Sequence, residues 1–136
     1  LRPFVTDDIG WFTRDDPVLR TPQGSPERCF MGCFAGLRAI GITSDGGVKG
    51  CLSLPDSMTE GNVRDESLAS IWNDPGRFSY NRAFDPASLS GACTTCDVRT
   101  ICRGGCTALA VSVHGRAHTS THCFRVSAPR ETDPLV

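Results

Sequence analysis

The sequence contains no apolar run approaching the ~20 residues needed to span a bilayer. It has no charge excess either. The formal net charge is −1, which excludes a basic field for nucleic acid and an acidic tail. Lysine is nearly missing: Lys49 is the only one, and all other fixed positive charge is arginine. The first residues, LRPFVTDDIG, hold neither an initiator Met nor the pattern of a secretory signal. The expected compartment is therefore the reducing cytosol, and the chain reads as a piece of something longer. No Ser, His or Asp sits in a nucleophile motif. No glycine-rich phosphate loop fits, because Gly46-Gly47 suits a hairpin and Gly104-Gly105 suits a cysteine loop. Hydrophobic residues make up 39% of the chain. That is a thin core against a backbone ordering cost of about 1–2 kcal/mol per residue.

What the chain has in quantity is cysteine: eight, at Cys29, Cys33, Cys51, Cys93, Cys96, Cys102, Cys106 and Cys123. Thinly cored domains need such staples. In a reducing compartment, paired cysteines serve as metal ligands or catalytic thiols more than as disulfides. Four disulfides are the alternative if an export signal once preceded Leu1. Iron–sulfur clusters and structural zinc both favour four thiolates per site, so eight thiols suggest two sites. Cys29, Cys33 and Cys51 lie in the first half and the other five in the second. Two local four-cysteine sites cannot be built from that division, so at least one thiol of the second half must cross. Cys93-x2-Cys96 forms a knuckle, with Cys102 in easy reach. Cys106 opens a helix and can face away from it, while Cys123 lies beyond that helix and can return. Spacing alone also leaves Cys123 as a crossing ligand.

Around the cysteines the pattern predicts short elements. AIGIT (39–43) and VKGCLSL (48–54) flank SDGG and read as a β-hairpin. Asp45-Gly46 would supply positive φ angles for a tight turn, and Cys51 would lie on the return strand. RDESLASIWND (64–74) predicts a helix capped at Asp65, with Leu68, Ile71 and Trp72 on one buried stripe. Asp74-Pro75 starts a second short helix through Phe78 and Tyr80. CTALAVSVHG (106–115) predicts a helix stopped at Gly115. His114, His118 and His122 recur every four residues, but Gly115 and the polar stretch after it argue against one metal-binding helix face.

The pattern Cys33-x12-Gly46-x4-Cys51, then Cys93-x2-Cys96-x5-Cys102-x3-Cys106-x16-Cys123, together with the helix GNVRDESLASIWND (61–74), resembles the SPASM domain. That is the C-terminal auxiliary-cluster domain of a subset of radical S-adenosylmethionine enzymes. The resemblance covers residues 29–123 and implies two 4Fe–4S clusters. It implies that Cys29, Cys33, Cys51 and Cys106 hold the first and that Cys93, Cys96, Cys102 and Cys123 hold the second. The fold it implies is α+β: a small, loop-rich domain with one β-hairpin and short helices organised around the two clusters. Residues 1–28 would be an arm from an upstream catalytic barrel, 29–126 the two-cluster domain and 127–136 a tail. A radical S-adenosylmethionine barrel, in the same chain or a partner, and a peptide or protein substrate follow as expected partners, with no nucleic acid and no membrane.

The Cys-x3-Cys-x2-Cys loop of the radical reaction is not here. Cys29-x3-Cys33 meets Gly36 at the third position and Cys102-x3-Cys106 meets Leu109. S-adenosylmethionine would belong only to the missing catalytic domain, and this chain alone would not cleave it. Arg99 and Arg103 lie within the cysteine run, and Arg28 and Arg38 flank the other group. They are candidates to donate hydrogen bonds to sulfur. Two zinc sites or a free-standing two-cluster electron carrier are the competing readings.

Overall fold

The structure, a computed structural model, describes residues 32–127. The arm at 1–28, Cys29 and Arg28 lie outside the described residues, as does the tail beyond Ser127. Three short strands form one antiparallel sheet in the order β1-β2-β3: β1 Gly41–Ile42, β2 Gly47–Lys49 and β3 Gly61–Asn62. Gly41 pairs with Lys49 and Ile42 with Val48, while Gly47 pairs with Asn62 and Val48 with Gly61. Among the described residues, five short α-helices follow: α1 Leu68–Asn73, α2 Ser79–Arg82, α3 Arg99–Cys102, α4 Thr107–His114 and α5 Phe124–Ser127. Three 3-10 turns, Asp56–Met58, Pro86–Ser88 and Gly91–Thr95, fill the connections. This is α+β, as expected, with a third strand in addition to the hairpin. Among the described residues, no helix is long and apolar enough to cross a membrane.

The hairpin differs from the tight turn in the sequence reading. Residues 43–46 form the connection, closed by Thr43 N–H to Gly47 O at 2.8 Å and Gly46 N–H to Thr43 O at 2.9 Å. Only Gly46 has positive φ, at 92°, so Asp45 is free to accept from the Thr43 hydroxyl instead. Strand β2 ends at Lys49, and Cys51 lies in the turn beyond it, where Leu54 N–H bonds to Cys51 O. Strand β3 packs close on the helical layer. A Cβ at Gly61 would lie 2.4 Å from Arg77 Nη1 and 3.0 Å from Ile71 Cδ1.

The first helix also starts later than Asp65. Ser67 is its N-cap, accepting from Ser70 N–H at 3.1 Å, and residues 63–66 turn back on the Asn62 carbonyl. In a helix this short the apolar stripe narrows. Ile71 is fully buried and Trp72 half-buried, but Leu68 is 38% exposed. The second helix starts at Ser79, because Pro75 opens a turn and Phe78 takes a left-handed conformation with φ 55°. A bulky residue holds that region only when its surroundings fix it. Here Arg82 does so. Its guanidinium lies 4.6 Å from the rings of both Trp72 and Phe78 and donates to Gly36 O, Trp72 O and Asp74 O.

Two small cores result. Val48, Ile71 and Phe78 form one, flanked by Ile40, Trp72 and Tyr80. Ala35, Leu54 and Ala108 form the other, flanked by Cys33, Cys51, Met58, Tyr80 and Cys106. Tyr80 belongs to both, so the seam between the cores runs along its ring. The second core is aliphatically poor and is completed largely by sulfur.

Candidate metal centre

Cys33 precedes the turn in which Leu37, Arg38 and Ala39 N–H groups all point at Phe34 O. Cys51 begins the turn after β2. Cys106 is the N-cap of α4, in extended conformation with φ −71° and ψ 119°. These three come from positions far apart in sequence and pack on the same patch of Ala35, Leu54 and Ala108. What joins α4 to the first half is Asn81, which is 3% exposed. Its Nδ2 donates to Ala35 O at 2.8 Å and its Oδ1 accepts from Thr107 Oγ1 at 3.3 Å.

The other thiols are set by the 3-10 turn Gly91–Thr95, which brings Cys96 N–H to 3.4 Å from Cys93 O. Burial pushes the Cys93 thiol up; the Ser120 backbone opposes this, and nearby Cys123 and Cys96 add to it. Cys93, Cys96 and Cys123 are thus electrostatic neighbours. Burial likewise pushes Cys96 up, with Asp97 adding to the rise and the Val98 backbone and Arg125 opposing it. Arg125 Nη2 meets Asp97 Oδ2 at 2.6 Å, which ties α5, directly after Cys123, to the Cys96 loop. Cys102 ends α3, which packs against the Cys93 turn.

Between Cys102 and Cys106, Arg103, Gly104 and Gly105 all have positive φ, at 54°, 83° and 76°. This reversal sends the two cysteines in different directions. It is held from outside, since a Cβ at Gly104 would lie 2.5 Å from His118 C and 2.8 Å from Thr119 N.

No disulfide joins any two of the described cysteines. Among the described residues, no three His, Cys, Asp or Glu side chains converge to hold a metal ion. The structure groups thiols on two patches and does not draw either group to ligand distance. The donor set fits a thiophilic metal or an iron–sulfur cluster. All its members are sulfur, and Cys93 and Cys96 are buried enough to disfavour bare thiolates, which a bound cation would stabilise.

The histidines do not form a metal face. Helix α4 stops at His114, with Gly115 at φ 69°. His118 turns inward, with Nδ1 3.0 Å from Arg103 O and its ring 5.0 Å from Phe84. Arg103 stacks over Phe84 at 4.8 Å, Arg38 lies 5.7 Å from the Phe34 ring, and Arg99 donates to Cys96 O. These contacts go to rings and carbonyls, not to sulfur as the sequence suggests, and Arg28 lies outside the described residues. Tyr80, placed by the sequence only within the second short helix, has its phenol beside the patch of Ala35, Leu54 and Ala108. Its phenol is pushed up by burial first, then by Glu60, with Cys33 and Cys51 adding to the rise and the Gly50 backbone opposing it.

Residues 33–97 match the SPASM family, an iron–sulfur cluster-binding domain. The match includes Cys33, Cys51, Cys93 and Cys96 and ends before Cys102, Cys106 and Cys123. Two crystal structures of SuiB from Streptococcus suis share the fold. One is 22% identical with a TM-score of 0.53, over 76% of this chain and 24% of that one. The other, bound to S-adenosylmethionine, is 20% identical with a TM-score of 0.54, over 83% and 27%. The present chain thus spans about a quarter of the length of these structures. A search of curated proteins finds no match.

Proposed function

We propose that this chain is an auxiliary two-cluster domain of a radical S-adenosylmethionine enzyme that modifies a peptide or protein in the cytosol. Cys29, Cys33, Cys51 and Cys106 hold one 4Fe–4S cluster, and Cys93, Cys96, Cys102 and Cys123 hold the other. Four thiolates close each cluster, and the role is to support electron transfer, substrate placement or both. Such clusters, when bound, supply one-electron chemistry without an open iron. The catalytic barrel, with its S-adenosylmethionine, is contributed by another part of the same chain or by a partner.

The observation that carries this reading is the place of Cys106. It leaves its sequence neighbours in the cysteine run and packs with Cys33 and Cys51, while Cys93 feels Cys96 and Cys123. Division into three and five thiols requires one such crossing. The likeness of fold to SuiB, one structure of which is bound to S-adenosylmethionine, supports the enzyme context. Anaerobic reconstitution followed by iron and sulfide analysis tests the proposal. The expected result is about eight irons and eight sulfides per chain, with a visible band bleached by dithionite. A colourless protein holding two zinc ions overturns it in favour of structural zinc.

A further inference from the structure

Tyr80 is the one tyrosine in this sequence. Its ring packs against Ala35, Leu54 and Ala108 in company with Cys33, Cys51 and Cys106, and also against Val48, Ile71 and Phe78. The ring accounts for the seam between the cores. The hydroxyl does not belong to that account. Its oxygen is buried and makes no hydrogen bond of standard geometry. A Cβ at Gly50 would lie 2.3 Å from Tyr80 Oη, 2.6 Å from Gly36 N and 2.9 Å from Ala35 C. Gly50 immediately precedes Cys51, and Ala35 and Gly36 follow Cys33 by two and three residues. The phenol is therefore inserted where the two cysteine-bearing segments touch. A buried O–H without an acceptor carries the desolvation cost of that group uncompensated, and phenylalanine would fill the same seam without that cost. Buried tyrosine hydroxyls normally find a partner. The charged and sulfur groups that act on the phenol are Glu60, Cys33 and Cys51, and none of them accepts its hydrogen in this structure; the sulfur of a bound cluster would bring an acceptor from the Cys33 and Cys51 side.

We propose that Tyr80 donates its O–H to a sulfur of the cluster held at Cys33, Cys51 and Cys106, and so raises the reduction potential of that cluster above what its four thiolates alone would set. The inference rests on the two-cluster reading. A donor to sulfur stabilises the negative charge added on reduction, one of the ways a protein tunes such a centre. Tyr80 acts through the ligand sphere as a positioning and tuning residue. It makes the two clusters inequivalent.

Potentiometric titration followed by EPR of the anaerobically reconstituted chain tests this. Tyr80→Phe should shift one of the two potentials negative and leave the other in place. Replacing the single tyrosine with 3,5-difluorotyrosine, a more acidic donor of similar shape, should shift the same potential positive. Pulsed EPR in light and heavy water should show an exchangeable proton coupled to that cluster, lost in Tyr80→Phe. Unchanged potentials in both replacements overturn the proposal. So does a shift in Tyr80→Phe without loss of the proton, which would mean altered packing. If Tyr80→Phe does not fold, the difluorotyrosine chain decides alone, and no shift there overturns the proposal. An iron-free wild type overturns it together with the two-cluster reading, whereas an iron-loaded chain with unmoved potentials overturns the Tyr80 assignment only.

Discussion

Asn81 donates its side-chain N–H to the carbonyl of Ala35 at 2.8 Å, across 46 residues of sequence. Both groups are buried, at 3% and 2% exposure. The same side chain accepts from Thr107, so one amide ties the Cys33 turn to the helix that Cys106 begins. Asn81→Leu keeps the approximate volume and strands the Ala35 carbonyl. A loss of about 1–3 kcal/mol in unfolding free energy is expected, read from the denaturant midpoint of the metal-free chain. An unshifted midpoint would mean that the amide does not join these segments.

Arg82 makes a different kind of tie. Its planar guanidinium lies over Trp72 and Phe78 and donates in the same plane to Gly36 O at 2.8 Å and Trp72 O at 2.7 Å. Lysine keeps the charge but has neither the plane nor the fork. Arg82→Lys should therefore cost nearly as much as Arg82→Ala, about 1–3 kcal/mol in each case from carbonyls left without a donor. Thermal melts of the two variants check this. A lysine variant melting with the wild type would show that charge alone matters at this position.

The need for a crossing thiol was legible in the three-to-five division of the cysteines, whereas spacing alone left both Cys106 and Cys123 open, and it is the packing of Cys106 on the patch of Cys33 and Cys51 that favours Cys106. The helix at Thr107–His114 was legible too, through its glycine stop at Gly115. Gly61–Asn62 was not, because neither residue favours a strand. It forms one because Val48, fully buried, presents backbone groups that Glu60 and Gly61 can pair with. Leu68 was expected inside because periodicity counts positions and takes no account of helix length. Tyr80 was legible as part of a short helix but not as a neighbour of Cys33 and Cys51. That placement depends on the left-handed turn at Phe78, which Arg82, four residues on, and distant Gly36 enforce.

Acid should weaken the sheet-to-helix connection. The Gly76 backbone N–H, and then Arg77, hold the Asp74 carboxyl below the usual carboxylate range, with burial opposing them. The Thr43 hydroxyl and the Gly47 backbone lower Asp45 in the same way. An acid whose pKa is depressed on folding adds stability above its unfolded pKa, about 3.9 for Asp. That stability disappears as pH falls through the folded value. Denaturant midpoints of the metal-free chain should therefore fall between about pH 5 and about pH 2. Asp74→Asn should flatten part of that fall. An unchanged slope would show that Asp74 does not couple to folding.

Cys106 should behave unlike its neighbour Cys102. The reversal at residues 103–105 sends Cys106 to the patch shared with Cys33 and Cys51, while Cys102 ends the helix that packs on the Cys93 turn. Cys102→Ala and Cys123→Ala should each remove about half the iron, about four per chain, and leave the EPR signal of the first cluster in place. Cys106→Ala should also remove about half, but from the first cluster, leaving the signal that Cys102→Ala abolishes. It should in addition raise hydrogen exchange in both halves, because the crossing thiol joins them. The Tyr80-sensitive potential provides an internal label: it should survive Cys102→Ala and vanish in Cys106→Ala. If Cys102→Ala and Cys106→Ala abolish the same signal, the two thiols serve one cluster and the crossing ligand is another cysteine of the second half.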